Sequence, residues 1–274
     1  MSKVTSRDGT TITFDRLGNG PAVILVTGAL GERSHPMQRD LATHLARHFT
    51  VFNYDRRGRG ESDDTLPYSI THEIEDIEAL IDEAGGSAFV YGISSGAVLA
   101  LEAAAHGLPI TKLALYEPPF IINDSRPPLP KDYVEQLNEA VSSGRRGDAV
   151  EIFMTKALRV PDEFLDPMRA DPSWAGMEKV AHTLAYDGTI MGDTMSGNPL
   201  PSNKWSSAAM PTLVVDGELS ETMFHDAARA LVDNLHHARR RTLEGQEHDV
   251  SADALAPVLR EFFAPEQTVR ETPR

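Results

Sequence analysis

The stretch Phe89-Val90-Tyr91-Gly92-Ile93-Ser94-Ser95-Gly96-Ala97-Val98-Leu99-Ala100 decides how the rest of the chain is read. Residues 87–91 are a short run of apolar, aromatic and β-branched side chains after the turn pair Gly85-Gly86, which predicts a strand. Residues 95–105 are rich in alanine and leucine and stop at Gly107 with Pro109 beyond, which predicts a helix. Between the two lies G-x-S-x-G, as Gly92, Ser94 and Gly96. Three fixed positions at roughly 7% frequency each would match by chance in about one chain in ten of this length, so the bare pattern decides little. Its place on a strand-to-helix junction decides more. A chain that turns so sharply leaves no room for Cβ atoms beside the turn, hence the glycines. It also holds the serine in a strained backbone conformation, with its hydroxyl raised above the carboxyl edge of the sheet.

Outward from this junction, strand and helix patterns alternate. Residues 4–6 and 11–16 flank the turn pair Asp8-Gly9 and predict an antiparallel hairpin. Residues 22–27 are a continuous apolar run, expected of a strand buried on both faces of a parallel sheet. Strand 50–54 follows, with helices over about 36–47 and 71–84. Downstream, residues 112–116 predict another strand, ending in Glu117-Pro118-Pro119. The alternation then stops until about residue 209. Residues 131–142, 148–159, 162–169 and 173–187 read as helices, and Asn203-Lys204-Trp205 as the return linker. Strand 212–216, helix 222–234, strand 239–243 and helix 252–263 complete the pattern, before a polar tail after Ala264 that is expected to fray. The whole predicts an α/β architecture: a mostly parallel eight-stranded sheet flanked by helices, with right-handed crossovers. The core would comprise residues 1–117 and 210–274, with a helical cap of residues 118–209 inserted after the sixth strand. Side chains such as Phe153, Met154, Phe164, Trp174, Met177 and Tyr186 would pack these helices on one another. As a group they would form a lid and an apolar pocket over Ser94.

Composition bounds the function. A chain of 274 residues with 41% hydrophobic and 24% charged residues is ordinary for a globular protein. Its net charge of −15 argues against nucleic acid or an anionic membrane surface as partner, since both would repel it. The absence of cysteine excludes disulfides, thiolate catalysis and cysteine-ligated metals. Residues 1–9 lack the apolar core of a secretory signal, and no apolar run is long enough to span a bilayer. The expectation is a cytoplasmic protein. Helix 222–234 and the cap are the two surfaces that could carry a homodimer, and nothing in the pattern chooses between them.

A serine hydroxyl needs a base within hydrogen-bond reach. Of ten histidines, His248 lies in the loop after the last strand, at the sheet edge that carries Ser94. The others fall on helices or connecting segments, with His35 and His182 placed to line a pocket. A carboxylate should orient the imidazole, and two are candidates: Glu117, at the end of the strand following the serine's own, and Glu218, in the loop after strand 212–216. Two backbone N–H groups should receive the developing oxyanion. One is the amide of Ser95, at the helix N-terminus where the dipole helps. The other belongs to the loop after strand 22–27, at Ala29. The glycine- and arginine-rich segment Asp55-Arg56-Arg57-Gly58-Arg59-Gly60-Glu61-Ser62 reads as a solvated turn. It lacks the Lys-Ser/Thr ending of a phosphate-binding loop and the spacing of a dinucleotide site.

In the order of these parts the chain resembles the α/β-hydrolase superfamily over nearly its whole length. Three segments are similar to the zearalenone-type lactone hydrolases: Val26-Thr27-Gly28-Ala29-Leu30-Gly31-Glu32, the elbow Tyr91-Gly92-Ile93-Ser94-Ser95-Gly96-Ala97, and the glutamate after the following strand. The resemblance implies a triad acid at Glu117. It departs from the family at Ala29, where a glycine is usual, and Ser220 stands where many of these hydrolases carry an aspartate. The function implied is a serine hydrolase acting, without a cofactor, on a small apolar ester or lactone. The alternatives are C–C bond hydrolysis, perhydrolase or lyase chemistry with the same triad, and a non-catalytic ligand-binding protein that keeps the fold.

Overall fold

The computed structural model describes residues 1–264; the polar tail read as fraying lies outside them. The apolar runs become strands β1 (Ser2–Thr5), β2 (Thr11–Leu17), β3 (Ala22–Val26), β4 (Thr50–Tyr54), β5 (Ala88–Ile93), β6 (Ile110–Tyr116), β7 (Thr212–Gly217) and β8 (Ala238–Leu243). They form one eight-stranded sheet in the order β1-β2-β4-β3-β5-β6-β7-β8, antiparallel at β1 and β2 and parallel from β4 to β8. The chain thus belongs to the α/β class with the mostly parallel sheet that its alternation predicts.

Side chains of one strand face opposite ways, and β3 shows this directly. Val23 and Leu25 join a core with α1 (Pro36–Leu45) and α10 (Ala252–Phe263), through Leu41, Leu45, Leu259 and Phe263. Ile24 and Val26 join the other core, with α2 (Ile70–Glu83), α3 (Ser95–Ala105) and α9 (Thr222–Asn234), through Ile77, Leu99 and Leu231. Both faces of the sheet are therefore covered, which is why these strands carry apolar runs instead of alternating patterns.

Between β6 and β7 stand α4 (Tyr133–Ser142), α5 (Arg146–Ile152), α6 (Leu165–Ala170), α7 (Ser173–Val180) and α8 (Leu184–Met191). They bury an apolar cluster of their own around Leu137, Val150, Met154, Trp174 and Leu184, and Ala29 and Leu30 of the loop after β3 pack against it. The two long helices expected here are each interrupted. A π-helical turn at Phe153–Ala157 ends α5, and a 3₁₀ turn at Ala181–Thr183 separates α7 from α8. Threonine hydroxyls bond back to carbonyls at both breaks, Thr155 to Glu151 and Thr183 to Val180, an alternative to the helical ladder. Trp205 is no mere linker: it is 1% exposed, stacks on Phe120 and donates to the Glu102 carboxylate at 2.9 Å.

The arginine-rich loop corrects its sequence reading. Arg56, Arg57 and Arg59 are each about 1% exposed, so the segment is not a solvated turn. Each guanidinium meets carboxylates, the buried Glu73 and Asp187 for Arg56, the buried Asp76 and the partly exposed Asp8 for Arg57, and Asp187 for Arg59. Composition shows the charges but not these partners, which lie far away in sequence.

Candidate active site

The turn from β5 into α3 is as tight as its glycines require. A Cβ on Gly92 would sit 2.4 Å from the Gly96 carbonyl oxygen, and one on Gly96 would sit 2.3 Å from that of Thr27. Ser94 caps α3 with φ 56° and ψ −130°, a conformation that costs on the order of 1–3 kcal/mol and persists only where its surroundings enforce it. They do so here: its N–H donates to the Tyr116 carbonyl at 2.9 Å, and Gly28 passes so close that a Cβ there would lie 2.9 Å from the Ser94 Cβ.

Parallel register brings the neighbouring strand ends to the same edge. Ile93 pairs with Tyr116, Tyr116 with Val215, and Gly217 with Leu243. Glu117 follows Tyr116 and is fully buried. Its N–H donates to Val215, and its backbone, at φ 47°, is also in the left-handed region. One carboxylate oxygen accepts the Gly217 N–H at 2.7 Å, and the other lies 2.7 Å from Nδ1 of His248. Buried, doubly engaged and on a rigid strand end, this carboxylate fixes the orientation of the ring.

His248 lies in the loop after β8, which Tyr116 Oη steadies by donating to the Glu247 carbonyl at 2.5 Å. Its imidazole is about one-third exposed and stacks on Phe224, with ring centroids 4.7 Å apart. Phe224 is a site residue that the sequence reading missed, because nothing in the pattern of α9 separates it from the apolar face of that helix.

The other candidates also find places. Glu218 accepts the Gly245 N–H at 2.9 Å and stays exposed, so it is Glu117, not Glu218, that the structure brings to His248. Asp216, the carboxylate within β7 just ahead of Glu218, is engaged by Arg240, His225 and Thr242. His35 is exposed at the start of α1. His182 lies against Asp64, its Nε2 3.5 Å from that carboxylate, and burial, partly opposed by Asp64, lowers its pKa. Ala29 is half-buried in the loop after β3, and its N–H carries no hydrogen bond among the described residues. Ser95 is the first residue of α3, so its N–H has no intrahelical partner.

The chain as a whole is similar to known proteins. A family model described as the alpha/beta hydrolase family matches residues 23–261. A solved α/β hydrolase from Sphaerobacter thermophilus is 52% identical, with a TM-score of 0.88 over 96% of this chain and 100% of that one. An enol-lactonase from Burkholderia xenovorans is 21% identical with a TM-score of 0.69, over 95% of this chain and 99% of that one, a likeness of fold alone. The uncharacterized hydrolase YraK of Bacillus subtilis is 34% identical over 98 residues, which span 34% of this chain and 35% of that protein. With the matched segment running from β3 into α10 and taking in the elbow, Glu117 and the His248 loop, the chain belongs to the α/β-hydrolase family.

Proposed function

We propose that this α/β hydrolase cleaves a carboxylic ester or lactone through an acyl-enzyme on Ser94. The observation that carries the reading is the convergence at one sheet edge of a strained serine and a histidine bound through Nδ1 to a buried glutamate. The carboxylate holds the Nδ1 proton and leaves the Nε2 lone pair to act as base. In the first half-reaction Ser94 Oγ adds to the carbonyl carbon while His248 takes its proton. The negative charge that develops on the carbonyl oxygen is received by the amides of Ala29 and Ser95. The intermediate collapses as His248 returns the proton to the leaving alkoxide. A water molecule, deprotonated by His248, then adds to the acyl carbon, and collapse of the second intermediate releases the acid and restores Ser94. Glu117 stays ionised throughout and stabilises the imidazolium. Each role falls to a side chain or amide of this chain, so the reading calls on no cofactor.

Leu30, Phe153 and Met177 are half-buried against the core of the inserted helices. They support an apolar acyl or lactone moiety beneath a lid, a small molecule and not a polymer. The local likeness to zearalenone-type lactone hydrolases supports the lactone branch. Turnover of a panel of p-nitrophenyl esters and alkyl-substituted lactones, followed by proton release, tests this. Hydrolysis of at least one class should be lost in Ser94→Ala; a Ser94→Ala protein as active as wild type would overturn the reading.

A further inference from the structure

One buried polar cluster takes no part in the chemistry above, yet it touches both halves of the oxyanion site. Asp187, on the inserted helix α8, is buried in the midst of Leu184, Ala185, Tyr186 and Ile190. One of its oxygens accepts from Arg56 Nη1 at 2.7 Å and from the Ser95 hydroxyl at 2.8 Å, and the other from Arg59 Nη2 at 2.7 Å. Arg59 is held further by its Nε, which donates to Thr183 Oγ1 at 3.1 Å. With two sides of its planar fork so occupied, its Nη1 is aimed at the loop after β3. There it donates to the Gly28 carbonyl at 2.5 Å, with the Gly31 carbonyl at 3.4 Å.

We propose that Arg59, aimed by Asp187, is a positioning residue that sets the oxyanion donor at Ala29. In a trans peptide the C=O and the following N–H point to opposite sides. A guanidinium fixed on the Gly28 oxygen therefore fixes the direction of the Ala29 N–H. That amide carries no other partner among the described residues, and its peptide unit begins at Gly28, the residue packed against Ser94. The cationic donor also polarises the peptide and makes its N–H the better hydrogen-bond donor. The Gly28 oxygen also accepts the loop's own Gly31 N–H, at a longer 3.2 Å, and Leu30 between them is held at φ 58° without being a glycine, so the guanidinium adds to a turn that is itself under strain. Because Asp187 belongs to an inserted helix and also binds the Ser95 side chain, one carboxylate ties the seating of that helix to both donors of the site.

This inference rests on Ser94 being the nucleophile, and the experiment separates the two. The variants are Arg59→Met, Arg59→Lys, Asp187→Asn and the near-isosteric Thr183→Val, which removes the Nε partner together with the hydroxyl's own bond to the Val180 carbonyl and leaves the carboxylate and Arg59 in place. Arg57→Met is the control: Arg57 is as buried but binds Asp76, Asp8 and the His72 carbonyl instead. The readouts are kcat and KM for a p-nitrophenyl ester, Ki for an alkyl boronic acid, which places a charged oxygen in the oxyanion site, and Tm. Loss of an aligned donor lowers kcat by on the order of a hundredfold. Arg59→Met should show a loss of that order with KM nearly unchanged, and a parallel rise in Ki. Arg59→Lys and Asp187→Asn should fall between it and wild type, and Thr183→Val should show a smaller loss of the same kind even if Arg59→Met fails to fold. Arg57→Met should lower Tm and leave kcat of the folded protein unchanged. If the Arg59, Asp187 and Thr183 variants change only Tm, or raise KM with kcat intact, the positioning role is overturned and the hydrolase reading stands. If the wild type neither turns over ester nor binds boronate, the hydrolase reading falls and this inference with it.

Discussion

At the residue scale, the decisive pair is His248 and Glu117, joined at 2.7 Å with the glutamate wholly buried. A neutral amide in place of Glu117 would keep the shape but remove the charge that stabilises the imidazolium. Glu117→Gln should lower kcat by about a hundredfold or more, whereas Glu218→Gln should leave it near wild type; steady-state kinetics on the two proteins checks this. Reversal of the two outcomes would move the acid to the later loop. Glu117 could be preferred from sequence because it follows a strand adjacent to the serine's own and two prolines stiffen what comes after it. Glu218 is left open there, because a residue count cannot show whether His248, 131 positions beyond Glu117, will meet that carboxylate or the later one. Asp187 was less legible. A single aspartate inside Leu184-Ala185-Tyr186-Asp187-Gly188-Thr189-Ile190-Met191 is itself a signal, since an acid in an apolar helix must find cations. The sequence names the acid but not Arg56 and Arg59 as its partners.

At the element scale, the elbow works because Gly92 lets the first turn of α3 fold back on β5 and Gly96 lets α3 pass under the end of β3. Gly96→Ala would drive a Cβ to 2.3 Å from the Thr27 carbonyl and 2.5 Å from that of Val26. Since both obstacles are main chain, relief would need β3 and α3 to move apart. The variant should lose about 3 kcal/mol in urea unfolding, the upper end of what overpacking costs, and lose ester turnover with it, as the same shift displaces Gly28 from Ser94. Elements were the most legible level of this molecule. Strand β4 and helices α3, α9 and α10 begin and end where the apolar patterns place them, because long, strongly patterned segments with clear stops leave few alternatives. The inserted helices were less so. Threonine hydroxyls bond back to carbonyls at their π-helical and 3₁₀ breaks, local detail that hydropathy does not encode.

At the scale of the whole molecule, the inserted helices and the sheet are joined by buried charge as well as by apolar contact. Burial pushes the Asp187 carboxyl up, but Arg59 and Arg56 beside it prevail and hold its pKa below the ordinary carboxylate value of 3.8. A carboxylate with a depressed folded-state pKa contributes stability that is present above its unfolded value and lost as pH falls through the folded one. The contribution of Asp187 should therefore be complete at neutral pH, begin to fall near the unfolded value of about 4, and be gone only below the depressed folded-state value. Melting temperatures from pH 7 to 3 should converge for wild type and Asp187→Asn as the acid limit is approached, with wild type the more stable at pH 7. A constant gap would contradict this. Among the described residues no helix is long and apolar enough to cross a membrane.

The central claim, a nucleophilic Ser94 activated through His248 and Glu117, is tested most directly by intact-mass labelling with a fluorophosphonate, with peptide mapping of the adduct. The account predicts one adduct per chain, located on Ser94, absent from Ser94→Ala and formed far more slowly in Glu117→Gln. A wild-type protein that takes up no label, or takes it up equally well without Ser94, would contradict it.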